Sequence, residues 1–326
     1  MRIVNLTRPL SRRALPRPNL AYYLWRFVAN GARTCRAMTM RPCGRDTPAL
    51  AHELRQNGIA VSAGDHLLTE SSRAALDEAA RRILHACDEH AASPSPAGAS
   101  AGNGRKRFLV DLVEYPEGIP EDDPLLKVAL DRNLLEVVSS YLGLWPCLYS
   151  VRAWLNVPTD EPPQVSQLWH RDPEDLQLIK VFIYLEDVGE DGGPFTYIPR
   201  THPFGAETTR AQKLEKKKRL PDERVNKMFP SGGWRVCTGP AGTLILADTV
   251  GYHRGGKPLA GRRVLITFTY TSGTPITDCP VRVKGVPAWL ASGLQQSALK
   301  LLLQRRGPVV ADTSGKKDKK KTRRTY

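Results

Sequence analysis

The feature that most constrains the fold of this chain is a change of period near residue 145. Upstream, apolar residues recur at helical spacing. In "TESSRAALDEAARRILHACDEH" (69–90) they are Ala75, Leu76, Ala79, Ile83, Leu84 and Cys87, behind a Ser/Thr cluster suited to cap a helix. "PEDDPLLKVALDRNLLEVVSSYLG" (120–143) predicts one or two more helices ending at Gly143. Downstream come "LYSVRAWLNVP" (148–158), "SQLWHRD" (166–172), "LIKVFIYLEDV" (178–188), "PFTYIPRT" (194–201), "GTLILADT" (242–249) and "RRVLITFTYTS" (262–272). These are short, rich in β-branched and aromatic residues, and bounded by Gly, Pro and Asp, as strands of a sandwich or barrel are. "VPAWLASGLQQSALKLLLQRRG" predicts a closing amphipathic helix over 286–307.

The chain therefore divides into a basic N-terminal extension (1–45), a helical flanking region (46–144), a β core (145–285), a C-terminal helix (286–307) and a basic disordered tail (308–326). A Pro/Gly/Ser-rich stretch, 91–107, interrupts the helical region as a flexible loop. Residues 202–235, with "KLEKKKR", read as a charged excursion between strands. No run approaches the roughly 18 apolar residues of a membrane span. The net charge of +15 sits at the ends: residues 1–45 hold ten arginines and no acid, and "GKKDKKKTRRTY" closes the chain. Such blocks are expected to be solvated tails, the alternative being peripheral contact with an anionic membrane. Nucleic acid is not expected as a partner, because the patterned middle of the chain is nearer charge balance. Six cysteines without a CxxC pair, and no secretory signal, favour free thiols in a reducing compartment. A cytoplasmic location follows, or a mitochondrial one if the Arg-rich start is a transit peptide.

Chemistry concentrates in "WHRDPED" (169–175). On a strand, side chains alternate faces, so His170 and Asp172 point one way and Arg171 the other. Imidazole plus carboxylate is a ligand set for Fe(II), Mn or Zn, although a lone His-x-Asp is a weak signal. A third ligand must come from far along the chain. His52, His66, His85 and His90 fall in the helical part and read as surface or packing residues; His202, after "YIPRT", reads as structural. His253, in "ADTVGYHRGGKP", follows an apolar strand and a Gly-bounded turn that can present it into a barrel mouth. Two histidines and one carboxylate make a facial triad with open positions for further ligands. Ten residues on, Arg263 opens the strand "RVLITFTY", where a buried guanidinium can bind a carboxylate bidentately, while Arg262 faces the opposite side. Lys180, Phe182 and Tyr184 share one strand face. If it points inward, Tyr184 and Lys180 can reach a cosubstrate; otherwise they are a core tyrosine and a rim lysine. Trp169 is expected to pack, and Glu174 and Asp175 to lie in a solvated loop.

"QLWHRDPEDLQLIKVFIYLEDVGEDGGPFTYIPRTHP" followed by "GTLILADTVGYHRGGKPLAGRRVLITFTY" resembles the phytanoyl-CoA hydroxylase-like (PhyH) family of Fe(II)/2-oxoglutarate-dependent dioxygenases. The His-x-Asp, the "YLEDV…GGPFTYIP" block and the distal His-Arg-Gly block stand in the family's order, over about 145–275. The resemblance implies a mainly β protein with flanking helices (α+β), its core a double-stranded β-helix, or cupin-like jelly roll. It implies Fe(II) held by His170, Asp172 and His253, 2-oxoglutarate held at its distal carboxylate by Arg263, and O₂ as cosubstrate. Asn156 matches an asparagine that contacts the cosubstrate in relatives. Two departures are visible: Pro199-Arg200-Thr201-His202 stands where the family commonly has Pro-Gly-Ser-His, and the distal arginine is one residue closer than in some relatives. Asp172 is kept where halogenating relatives carry a small residue, which favours hydroxylation. The substrate class expected is a small-molecule, lipid-linked or carrier-linked metabolite. The residues alone leave two other readings open: a non-catalytic jelly-roll binding module, or a hydrolase or isomerase using Zn or Mn in the same barrel.

Overall fold

The computed structural model describes residues 20–40, 44, 46–92, 108–214 and 219–303. Residues 1–19 of the basic extension, most of the 91–107 loop, Cys43, the middle of "KLEKKKR" and the 308–326 tail lie outside the described residues, as does the side chain of His90.

In chain order the elements are α1 (Leu20–Tyr23) running into a π-helical turn (Leu24–Ala29), α2 (Gly31–Thr39), α3 (Thr47–Asn57), β1 (Ile59–Ala63), α4 (Gly64–Leu67), α5 (Glu70–Ala92), β2 (Leu109–Asp111), α6 (Pro124–Ala129), α7 (Arg132–Leu142), β3 (Cys147–Asn156), β4 (Ile179–Tyr184), β5 (Phe195–Tyr197), α8 (Thr208–Gln212), α9 (Asp222–Asn226), β6 (Arg235–Cys237), β7 (Thr243–Ala247), β8 (His253–Gly255), β9 (Arg263–Thr271) and α10 (Gly293–Ala298). The predicted 120–143 helix divides because Asp131 caps a new start, its carboxylate accepting from Leu134 N at 3.0 Å. Gly143 ends α7 in the left-handed conformation, φ 65°, which costs glycine least.

The nine strands among the described residues all pair antiparallel, in a six-stranded sheet of order β1-β7-β4-β9-β3-β2 and a three-stranded sheet of order β6-β5-β8. Strand alternation sorts the large sheet into two unlike faces. One face, with Ile179, Val181, Ile183, Val264, Ile266, Phe268 and Tyr270, packs on Leu54, Ile83, Leu126, Leu134 and Val138 of α3, α5, α6 and α7. Each such side chain contributes on the order of 1.5–3 kcal/mol by leaving water. The other face, with Phe182, Tyr184, Ile245 and Leu265, meets Phe195, Tyr197 and Cys237 of the small sheet in a smaller cluster.

Four expectations change. The helical flanking region 46–144 also supplies β1 and β2, the two edges of the large sheet. Gly58, at φ 76°, ends α3 and turns the chain straight into β1, and the two strands are only five and three residues long, too short to show a period. The segment 166–172 is not a strand: a 3-10 turn (Val165–Gln167) precedes isolated bridges at Trp169 and His170. The closing helix is shorter than 286–307. A capping box, in which Ser292 Oγ accepts from Gln295 N and the Gln295 side chain accepts from Ser292 N, starts it only at Gly293. Finally, part of the 1–45 extension is docked on the body. Tyr22 and Trp25 are buried, Arg33 donates to Trp145 O (2.9 Å) and Pro146 O (3.2 Å), and Asn30 accepts from Gly273 N at 2.9 Å. Arg26 likewise donates to Gly143 O at 3.1 Å, so both arginines are held by carbonyls of the segment that follows α7.

Candidate metal centre

His170 and His253 stand 83 residues apart, yet their backbones pair directly: His170 N donates to His253 O at 2.9 Å and His253 N to His170 O at 3.0 Å. Asp172 N donates to Thr249 O at 2.8 Å, extending the same clamp. The apolar strand β7 and the Gly251 turn thus carry His253 to the segment bearing the other two. One potential ligand atom from each of His170, Asp172 and His253 lies within 4.8 Å of the others, and among the described residues this is the one such group.

Local hydrogen bonds aim the donors. His170 Nδ1 lies 2.8 Å from Leu168 O and His253 Nδ1 lies 3.1 Å from Gly251 O. A carbonyl can only accept, so each δ nitrogen carries the proton and each ε nitrogen offers its lone pair. Those ε nitrogens face Asp172, at 3.8 Å for His170 and 3.4 Å for His253. Burial, and then the neighbouring His253, push His170 well below the usual histidine range, which keeps it in the neutral, ligating form. Burial alone would raise the Asp172 carboxyl. The Lys180 ammonium, 2.8 Å away, and the two imidazoles outweigh it and hold Asp172 well below the usual carboxylate range.

Arg263 lies buried at the start of β9, directly across the strand pair from Asn156. Its Nη2 donates to Asn156 Oδ1 at 3.1 Å and its Nη1 to Gly256 O at 3.3 Å, while its Nε has no partner. Among the described residues no carboxylate pairs with it. Burial brings this guanidinium down to about 10, still protonated at neutral pH. A buried cation with an unused donor and no anion among the described residues is able to accept an external carboxylate. The glycines of "GGPF" and "HRGGKP" shape this cradle: a Cβ on Gly193 (φ +69°) would lie 2.5 Å from Pro258 N and 2.6 Å from Gly256 O. A side chain there would displace the carbonyl that holds Arg263.

The other residues singled out from the sequence divide clearly. Lys180 is no rim lysine: it is bonded to Asp172 and, at 3.1 Å, to Glu174. Tyr184 faces between the sheets, but its hydroxyl donates to Cys237 O (2.8 Å) and accepts from Phe195 N (3.0 Å), so its proton is committed to joining the two sheets. The expected solvated loop is not solvated. Glu174 pairs with Lys180, and Asp175 is buried, accepting from Ser272 N at 2.8 Å, with burial raising its carboxyl to about 7. Trp169 packs, fully buried and edge-on to Trp234 at 4.7 Å, its Nε1 donating to Asp222 at 2.8 Å. His202 is buried against Arg55 O (3.2 Å) on the far side of β1, while His52, His66 and His85 are exposed. Arg262 pairs with Glu186 and Asp88 at the surface, opposite to Arg263. Sequence reading missed Phe195, whose ring stacks 5.6 Å from that of His253, and Arg219, whose charge is felt by His170 and Asp172. Their only signal was proximity to turn residues, which is not specific.

The donor set fits its implied occupants: two imidazoles and an ionised carboxylate for Fe(II), and an uncompensated guanidinium for 2-oxoglutarate, with O₂ as cosubstrate. No curated protein sequence matches this chain significantly. Similar solved structures include the non-heme alpha ketoglutarate dependent epimerase SnoN from nogalamycin biosynthesis (16% identity, 76% of this chain and 96% of that one, TM-score 0.47). EctD from S. alaskensis in its apoform is another (19% identity, 80% and 87% covered, TM-score 0.45). A third is HygX from Streptomyces hygroscopicus with nickel and 2-oxoglutarate bound (18% identity, 69% and 87% covered, TM-score 0.44). The profile of the phytanoyl-CoA dioxygenase (PhyH) family matches residues 54–260, well over half of the sequence and every residue of the His–Asp–His group. The chain belongs to the phytanoyl-CoA dioxygenase (PhyH) family.

Proposed function

We propose that this protein is an Fe(II)/2-oxoglutarate-dependent hydroxylase built on a double-stranded β-helix. It inserts oxygen into an unactivated C–H bond of a small-molecule, lipid-linked or carrier-linked metabolite, with release of succinate and CO₂. The observation that carries this reading is Arg263: a buried guanidinium without an internal anion, on the same inter-sheet side as the triad. A hydrolase or isomerase using another metal has no use for it, and a non-catalytic module has no reason to keep an uncompensated cation buried.

His170, Asp172 and His253 would hold iron, which supplies the redox chemistry that couples decarboxylation of the cosubstrate to C–H oxidation. Arg263 receives the distal carboxylate of 2-oxoglutarate, and Asn156 sets the plane of the guanidinium through its 3.1 Å bond. Lys180 neutralises Asp172 and fixes its rotamer from the strand below. Phe182, Phe195 and Leu265 line the space between the sheets with apolar surface and keep water from it. The carboxylate at Asp172 leaves no ligand position for halide, which favours hydroxyl as the transferred group.

Succinate formation from 2-oxoglutarate, with added Fe(II) and O₂, tests the reading. Turnover is expected for the wild type even without substrate, and loss to background for His170→Ala. Absence of both iron binding and turnover in the folded wild-type protein refutes it. A screen for a mass gain of one oxygen atom then identifies the substrate.

A further inference from the structure

The helix over residues 20–29 is apolar on both sides. Its inner side packs Tyr22 and Trp25 into the body. Its outer side leaves Leu20 (73% exposed), Tyr23 (49%), Leu24 (49%), Phe27 (48%) and Val28 (74%) in water. These five exposed apolar side chains lie within nine residues, on the α-helical turn Leu20–Tyr23 and the π-helical turn that continues it. Met38 of α2 adds a further exposed apolar side chain, 69% open. A contiguous patch of this kind marks a docking surface, because scattered single side chains would not align.

The charge of the sequence that carries the stripe selects the occupant. Residues 1–45 carry ten arginines and no acid. A second copy of this chain meeting the stripe would bring two such cationic segments together, which opposes self-association. A surface that is apolar beneath and anionic on top suits both features at once: the stripe enters the acyl boundary while arginines meet headgroup charge. We propose that residues 20–29 form a peripheral docking edge that seats this protein on an anionic lipid bilayer.

The edge is rigidly coupled to the body. Arg26 Nη2 donates to Gly143 O at 3.1 Å, and Asn30 bonds Gly273 N and Thr274 Oγ1, both at 2.9 Å. The neighbouring Ser272 N donates to Asp175, three residues beyond Asp172. Lys180, which holds Asp172, is also in register with Thr269 near the same end of β9. The stripe therefore lies at the metal-bearing end of the large sheet, and docking through it turns that end towards the membrane. No helix among the described residues is long and apolar enough to cross a membrane, so this is a contact lying on the surface.

The test is vesicle co-sedimentation of the full chain. Vesicles of phosphatidylcholine alone are compared with equimolar phosphatidylglycerol and phosphatidylcholine. The wild type is expected to bind the anionic vesicles at least about tenfold better, and Leu24→Ser/Val28→Ser to lose about tenfold or more of that binding. Leu259→Ser, an equally exposed apolar side chain remote in sequence from the stripe, is expected to bind as wild type. Wild-type protein that ignores anionic vesicles overturns the proposal. So does a double variant that binds unchanged, which would leave the basic ends as sufficient, or a Leu259→Ser variant equally impaired. A wild-type dimer that Leu24→Ser/Val28→Ser converts to monomers, without change in vesicle binding, assigns the stripe to a second copy and also overturns it. Substrate-free 2-oxoglutarate turnover of the variants stays at the wild-type level, so failure here is separable from failure of the proposed chemistry.

Discussion

The two faces of the large sheet are built from the same strands and obey different rules. On β9, Val264, Ile266, Phe268 and Tyr270 point to the helices, all within the main core. Between them Arg263, Leu265, Thr267 and Thr269 point the other way, with Asn156, Ser150 and Lys180 on neighbouring strands. The helix face maximises burial of apolar surface and has no chemistry. The inter-sheet face keeps buried polar and charged groups, each of which lowers stability unless it is bonded. Ser150 Oγ to Thr269 Oγ1 at 2.9 Å, and Trp154 Nε1 to Thr267 Oγ1 at 3.3 Å, satisfy most of them. Arg263 is the exception, and that exception is where function is expected. Alternation in a strand thus lets one segment serve as foundation on one side and receptor on the other.

The sharpest way to break this contrast is to cut the helix face. Phe268→Ala leaves a cavity beneath a fully buried ring and is expected to cost about 3–5 kcal/mol in denaturant unfolding. Turnover per folded molecule is expected to persist, because no ligand is touched. Equal loss of turnover in the folded fraction would show the two faces to be coupled. The inverse cut is Arg263→Gln. Loss of a charge-assisted pair is expected to raise the KM for 2-oxoglutarate by about 10- to 100-fold, roughly 1.5–3 kcal/mol. Unfolding stability is expected to hold or rise, since the buried charge is gone. A fall of several kcal/mol would instead make Arg263 a structural residue.

A third cut, read only through pH, concerns a buried acid that serves neither face. Asp248, at the end of β7, accepts from Tyr141 Oη at 2.7 Å and from Val250 N at 3.0 Å, and burial raises its carboxyl to about 7. A raised acid binds its proton more tightly in the native state. Its contribution to stability is therefore present at low pH and falls between its unfolded value, about 4, and about 7, staying flat above. Asp248→Asn removes that ionisation. Its stability relative to wild type is expected to rise across that window, by up to about 4 kcal/mol at about 1.4 kcal/mol per unit of the shift, and to level off above it. Urea unfolding of both proteins at matched pH measures the difference. A pH-independent offset would show that the Asp248 carboxyl titrates in the native state as it does in the unfolded chain.

Much of the site was legible because its signals are short-range. His170 and Asp172 are two residues apart, His253 closes an apolar run, and Arg263 opens one. The α6–α7 pair and its Gly143 stop were legible for the same reason: period and caps act within a few residues. β1 and β2 were not, being too short to show a period, and they form strands only because β7 and β3 offer open edges. Glu174 and Asp175 were misread because acidity next to a proline looks like a solvent-facing loop. Only the packed chain brings Lys180 to one and Ser272 N to the other. The N-terminal arginines looked like a uniform tail for a similar reason. Nothing near them in sequence reveals the carbonyls of Gly143, Trp145 and Pro146.

Residue types and spacing along the chain thus determined which groups were able to ligate a metal, which runs were apolar, and where helices gave way to strands. Tertiary structure decided the rest. It set the 2.9 Å and 3.0 Å backbone bridge that brings His253 to His170, the carbonyls that fix both imidazole tautomers, and the lysine that holds Asp172. Among the described residues it also left Arg263 buried without an anion. The division has one physical cause: periodicity and capping are local energies, whereas desolvation and charge pairing depend on which distant groups the closed chain brings within a few ångströms.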